Sequence, residues 1–123
     1  MKIYLIQPVR RLEADQKLVI ESYVHNLEGD GHEVHCPHRD TKQDNTELGI
    51  LRENMEAMDS ADEIHIAWDT ESLGSHFDVG VTMFADKPIK LMPGFPIKKT
   101  EDKSVGNGIL QLIEEQNNGD SDG

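Results

Sequence analysis

The stretch Lys2-Ile3-Tyr4-Leu5-Ile6-Gln7, closed by Pro8, decides how the rest of the chain is read. Its residues are β-branched, aromatic or aliphatic with no polar alternation, which predicts a strand too apolar to be half exposed. From Ala14 to Glu28 the apolar residues Ile20, Tyr23, Val24 and Leu27 recur at helical spacing, and Gly29 and Gly31 stand where such a helix would stop. A buried strand followed at once by an amphipathic helix is the opening of a βαβ crossover.

The pattern continues outward from that unit. Glu33 to Pro37 reads as a short second strand, and a polar loop from His38 to Asn45 follows it. Leu48, Leu51, Met55 and Met58 mark a second helix, with Asp44 or Thr46 as its N-cap. Glu63 to Trp68 alternates and predicts a third strand, with Asp62 at its amino end as a turn or cap residue. Phe77, Val81 and Phe84 mark a third helix that ends before Asp86-Lys87-Pro88. Ile89 to Met92 reads as a fourth strand closed by Pro93-Gly94, and Val105, Ile109, Leu112 and Ile113 mark a last helix beginning near Ser104. Residues 1–116 then form one domain, and 117–123, rich in Asn, Gly, Asp and Ser, are expected to be a disordered acidic tail. Strands alternating with helices predict a three-layer α/β/α domain of flavodoxin-like type. Its mainly parallel sheet is expected in the order 2-1-3-4, with room for a fifth strand.

Composition narrows the partners. The 123 residues carry 24 Asp plus Glu against 12 Lys plus Arg, a net charge of −12 with histidine neutral. Nucleic acid is not expected as a partner, because phosphate contacts need a basic stripe. No apolar run approaches the roughly 20 residues of a membrane span, and Met1 to Ile6 lacks a signal-peptide layout. A lone cysteine, Cys36, leaves no disulfide framework within the chain and fits a reducing cytoplasm. The expectation is a cytoplasmic protein with a small-molecule site.

In parallel sheets ligands bind outside the carboxyl ends of the strands, near the switch in strand order. That rule selects Gln7 to Arg11, His38 to Asp40, Asp69 to Asp78, and Met92 to Phe95. Arg10 and Arg11 stand where an anionic ligand would meet the first helix, and read equally well as solvated charges. The third of these loops holds Asp69, Glu71, Ser72, Gly74, Ser75, His76 and Asp78 within ten residues. Asp78 at the start of a helix is either a functional carboxylate or an N-terminal charge favoured by the helix dipole. His32, His35 and His38 have ligand-like spacing, but the strand and turns that carry them would not bring three rings onto one ion, so no metal is expected. Met55 and Met58 read as core filling. Phosphate-loop and dinucleotide-binding glycine motifs are missing, and no cofactor is called for.

These residues resemble the nucleoside 2-deoxyribosyltransferase and nucleoside-monophosphate N-glycosidase superfamily over roughly Lys2 to Met92. The resemblance rests on Ile3-Tyr4-Leu5 followed by Arg10, on Gly31-His32-Glu33-Val34 into Pro37, and on Ala61-Asp62. Ser72-Leu73-Gly74 to Phe77-Asp78-Val79-Gly80, the most specific part, and Lys87-Pro88-Ile89 complete it. The family's nucleophile is a glutamate on the turn before the third helix, and that position here is Asp78, one methylene shorter. Its chemistry is covalent: a carboxylate displaces the base, forms a glycosyl ester, and water or a second base resolves it with retention. The family's second acidic residue falls at Asn54, which leaves Asp69 or Glu71 as alternative proton sources.

The resemblance further implies that Tyr4 lies beneath the sugar and that Ser72, Gly74 and Arg10 hold a 5′-phosphate, although Pro8 replaces a serine of the same loop. Arg10 with Ser72 and Ser75 favours a nucleoside 5′-monophosphate over a bare nucleoside. Asn107, on the last helix, is the implied contribution of a neighbouring subunit, so a homodimer or larger homo-oligomer is expected. Two function classes stand side by side: an N-glycosidase or deoxyribosyltransferase, and a catalytically retired nucleotide-binding or sensing module. A phospho-accepting receiver, suggested by Asp69 alone, lacks the acidic pair that Ile6-Gln7-Pro8 would have to supply.

Overall fold

β1 (Lys2–Ile6) runs parallel to β2 (Glu33–His35) on one side and to β3 (Glu63–Ile66) on the other, and β4 (Ile89–Leu91) pairs parallel with β3. The sheet order is β2-β1-β3-β4, the doubly wound arrangement expected from the alternation of elements. These features come from a computed structural model that describes residues 1–8, 12–42 and 44–121. Arg10 and Arg11 lie outside the described residues.

The helices are α1 (Ala14–Gly29), α2 (Pro37–Asp40), α3 (Glu47–Ser60), α4 (Leu73–Phe84) and α5 (Val105–Ser121). Because successive strand residues point to opposite faces, β1 feeds two cores. Tyr4 and Ile6 join Ile64, Ile66, Met58, Val79 and Ile109 on the face that α3, α4 and α5 cover. Ile3 and Leu5 join Ile20, Val24, Val34, Met92 and Phe95 on the α1 face. Tyr4, Leu5 and Ile6 are all 1% exposed or less, the burial that the unbroken apolar run requires. Each such side chain contributes about 1.5–3 kcal/mol over an exposed one.

Several local expectations change. The alternation that marks β3 leaves no wet face: Ile64 to Trp68 are all buried, because β3 is an inner strand covered from both sides. His65 is tolerated there because both ring nitrogens are paired. Nδ1 meets the Tyr23 hydroxyl at 2.5 Å, and Nε2 meets Glu63 Oε1 at 2.6 Å. The loop after β2 contains the single turn α2, started by Pro37, whose missing N–H is no loss at a first helical position. Thr46, not Asp44, caps α3, its hydroxyl accepting from the Gly49 N–H at 3.1 Å. Asp62 accepts from the Lys2 N–H at 2.7 Å and ties the amino end of β3 to β1, away from the ligand edge.

No fifth strand occurs among the described residues. α5 continues to Ser121, past the boundary drawn at residue 116, since intrahelical hydrogen bonds carry the backbone through Asn117-Asn118-Gly119 despite their poor propensity. No helix among the described residues is long and apolar enough to cross a membrane.

Candidate functional site

α4 begins one turn earlier than the sequence pattern suggested. Ser72 is the N-cap, its Oγ accepting from the Ser75 N–H at 3.2 Å, so Leu73 is the first helical residue and Asp78 the sixth. Asp78 is therefore on the second turn, out of reach of the helix N-terminus, and the capping explanation for its presence falls away. Ser75 and Asp78, three apart, share one face of the helix. Both face the sheet and are buried, at 2% and 9% exposure.

Asp78 meets β1 there. The Tyr4 hydroxyl donates to Asp78 Oδ2 at 3.0 Å. Burial pushes the Asp78 carboxyl up to about 6, with the Tyr4 hydrogen bond pulling the other way. The same burial, together with the Asp78 carboxylate, drives the Tyr4 phenol well above its ordinary range, so Tyr4 remains a donor. Near neutral pH this pair is a mostly ionised, poorly hydrated carboxylate held in place by one hydroxyl. Behind it, the Thr82 Oγ1 donates to the Asp78 carbonyl at 2.8 Å and anchors the next turn of α4.

A cleft of about 470 Å³ opens in front of Asp78 at the carboxyl edge of the sheet. Gln7, after β1, and Pro37, after β2, form its back. Ile50, Leu51 and Asn54 of α3 form one wall; Asp69, Glu71 and the first turns of α4 form the other. Two buried polar atoms among the described residues have no hydrogen-bond partner, Ser75 Oγ and Gln7 Oε1, and both residues line this cleft. A buried polar atom without a partner is costly unless something else supplies the bond. A ligand in the cleft would do so.

Asn54 belongs to a second polar chain. The Thr41 hydroxyl donates to Asn54 Oδ1 at 2.6 Å and pairs with His35 Nε2 at 3.0 Å. A hydroxyl has one proton to give, so the His35 Nε2–H donates to Thr41. Burial lowers the His35 pKa, against the pull of Asp40 and Glu53, and keeps the ring neutral. That ring stacks on Tyr4, with centroids 5.4 Å apart and planes 9° from parallel. The stack follows from register, as Tyr4 and His35 are direct partners across β1 and β2. His35 and Thr41 were not singled out from sequence as site residues, and only the strand register places them.

Of the residues selected from sequence, Asp78, Asn54, Gln7, Asp69, Ser72, Gly74 and Ser75 line one cleft, and Tyr4 supports it from beneath. Two stand apart. His76 turns away, its ring 4.8 Å from that of Trp68 and its Nδ1 2.7 Å from the Ser72 carbonyl, so it braces the start of α4. Asn107 is engaged within its own chain. Its Oδ1 accepts from the Thr100 N–H at 3.0 Å, and its Nδ2 donates to the Thr100 and Asp102 carbonyls at 2.9 and 3.0 Å. With both ends of its amide committed, Asn107 pins the loop before α5.

A cleft of similar size, about 480 Å³, lies on the other side of Gln7 beside α1. Its charged Arg39 is bound to Glu28 and Asp40, and burial pushes the Cys36 thiol up to about 11, which makes it a poor nucleophile. It offers no buried carboxylate, and the Asp78 cleft is the better candidate. Among the described residues no group of three His, Cys, Asp or Glu is placed to hold a metal ion.

No protein-family model matches the sequence, and no curated protein matches it either. Solved structures do match by fold. A 2-deoxyribosyltransferase from the psychrotolerant bacterium Bacillus psychrosaccharolyticus aligns over 89% of this chain and 90% of that one, with a TM-score of 0.60 and 17% identity. A CMP N-glycosidase from Clostridium botulinum aligns over 74% of this chain and 67% of that one, with a TM-score of 0.59 and 20% identity. A 2-deoxyribosyltransferase from Leishmania mexicana aligns over 73% and 62%, with a TM-score of 0.58 and 15% identity. The chain thus has the α/β fold of these nucleoside-processing proteins.

Proposed function

We propose that the chain is a divergent member of the deoxyribosyltransferase and N-glycosidase superfamily that cleaves the N-glycosidic bond of a nucleoside or nucleotide. The observation that carries this reading is the buried Asp78 carboxylate, steadied by Tyr4, in a cleft also lined by Ser75, whose buried Oγ has no partner. Asp78 attacks the anomeric carbon as the bond to the base breaks, and the electron pair leaves with the base. The resulting glycosyl ester is opened by water or a second base, which returns the carboxylate and gives net retention. Tyr4 stabilises the carboxylate each time it is regenerated. Ser72, Gly74 and Ser75 at the start of α4 suit a 5′-phosphate or sugar hydroxyl.

Asn54 favours a second reading, a binding or sensing module of the same fold, since a carboxamide cannot serve as the acid that the family keeps at that position. Chromatographic detection of free base separates the two. Nucleosides and 5′-monophosphates, ribo and deoxy, are incubated with the wild type and with Asp78→Ala. Release lost in the variant supports the glycosidase. Stabilisation by a nucleotide without release supports the module.

The reading includes a homo-oligomer and a cytoplasmic setting. The exposed Leu73 and Phe84 on α4 offer an apolar face to a second copy, and the buried free Cys36 suits a reducing compartment. Sedimentation of the wild type beside Phe84→Lys tests the assembly, with a smaller species expected for the variant.

A further inference from the structure

Among the described residues the cleft holds no buried acid other than the nucleophile itself. Breaking the glycosidic bond of a neutral base leaves an electron pair on a ring nitrogen, and a neighbouring acid normally protonates that base as it departs. Among the described carboxylates of the lining only Asp78 is buried, and it is the group that must stay ionised to attack. Glu71 is exposed at the mouth. Asp69 is half-buried there, its Oδ1 accepting from the Glu71 N–H at 3.0 Å. The remaining polar groups of the lining are neutral: the Gln7 and Asn54 amides and the serine hydroxyls. The Tyr4 hydroxyl is already given to Asp78.

Asn54 is moreover fixed in an orientation that excludes acid chemistry. Thr41 occupies its Oδ1, which leaves the Nδ2 end for the cleft, and an amide N–H donates a hydrogen bond without releasing its proton. The charge of the lining points the same way. Among its described residues the ionisable side chains are Asp69, Glu71 and Asp78, all acidic, in a chain of net charge −12. Such a cleft favours a cation over a neutral ring.

We infer that the substrate carries a positive charge on its base before the bond breaks: an N-riboside or ribotide of a quaternised ring, such as a pyridinium or an N7-alkylated purine. This inference rests on the glycosidase reading and names the substrate class of that site. The electron balance needs no acid. An Asp78 oxygen bonds to C1′, the C1′–N pair moves onto the cationic ring, and the base leaves neutral. Water then cleaves the ester, the pair returns to Asp78, and one proton passes to solvent.

Matched pairs test it near neutral pH. N7-methylguanosine is compared with guanosine, and nicotinamide riboside with its neutral dihydro form, each also as the 5′-monophosphate, with Asp78→Ala as the background. Release from the charged member should exceed release from its neutral partner by roughly a hundredfold or more, the usual contribution of an acid. Asn54→Asp, which puts a carboxyl group where the amide stands, should narrow the gap between guanosine and N7-methylguanosine. Equal release from both members of each pair overturns the inference and leaves the glycosidase reading intact. No release above the Asp78→Ala background from any compound overturns both.

Discussion

Tyr4 and Asp78, separated by 74 positions in sequence, share a hydrogen bond of 3.0 Å beneath the cleft. The bond acts on the carboxylate against burial, so its removal has a definite sign. In Tyr4→Phe the ring still fills its place in the core, but nothing offsets the desolvation of Asp78, and its pKa climbs further above about 6. A hydrogen bond to a charged group is worth about 1.5–3 kcal/mol, and 1.36 kcal/mol is one pH unit. The acidic limb of the kcat/KM profile should therefore move to higher pH by about one unit or more, while the rate on the alkaline plateau changes less. A pH–rate profile of the variant checks this, and an unmoved acidic limb would detach Tyr4 from the titration of Asp78.

The same burial makes Asp78 a stability liability at working pH. Its folded-state pKa is raised from the ordinary 3.8 to about 6, so the favourable neutral form is fully present below pH 4 and is lost as the pH rises through 6. The difference corresponds to about 3 kcal/mol, an upper bound for what Asp78→Asn, permanently neutral, can gain above pH 7. That variant should unfold at higher urea than the wild type at pH 7.5 and at nearly the same urea at pH 4, and it should release no base. Equal midpoints at both pH values would show that Asp78 is better solvated than its surroundings suggest.

Ser75 gives a sharper separation of roles. Its hydroxyl is buried without a partner, so Ser75→Ala removes an unsatisfied group and should leave the melting temperature unchanged or raise it. If the missing partner is the ligand, the same substitution should raise KM by about tenfold, near 1.4 kcal/mol. A variant that loses stability and keeps its KM would make Ser75 a packing residue.

Much of this arrangement is legible along the chain, because local signals set it. The apolar run from Lys2 and the Ile20–Leu27 periodicity imply a buried strand and its crossover helix, and the carboxyl-edge rule then selects Gln7, Asp69 and the Ser72–Asp78 loop. What escapes is set by long-range geometry. Whether Asp78 caps α4 or sits a turn inside it depends on where the helix begins, which Phe77, Val81 and Phe84 do not mark. The Tyr4–His35 stack needs the register of two parallel strands, and the burial of His65 needs Tyr23 of α1 brought to it, its other partner Glu63 lying two residues away on β3. One local contact escapes too: Asn107 bonds Thr100 and Asp102 in the irregular loop before α5, where no periodicity marks a partner.

The chain from His35 through Thr41 to Asn54 fixes the orientation of the Asn54 amide, and it can be cut at one atom. Thr41→Val keeps the shape of the side chain but leaves the His35 Nε2–H and Asn54 Oδ1 without the hydroxyl that joins them. Buried groups left unpaired cost about 1–3 kcal/mol, so the urea midpoint should fall. Asn54 also loses what fixes its Nδ2 end toward the cleft, and kcat/KM should fall with it. Thr41→Ser retains the hydroxyl and should restore both, although it removes a methyl group from a residue only 4% exposed. Loss of activity in Val and recovery in Ser would assign the positioning of Asn54 to that one hydroxyl. Matching behaviour of the two variants would assign it instead to packing of α3 against β1.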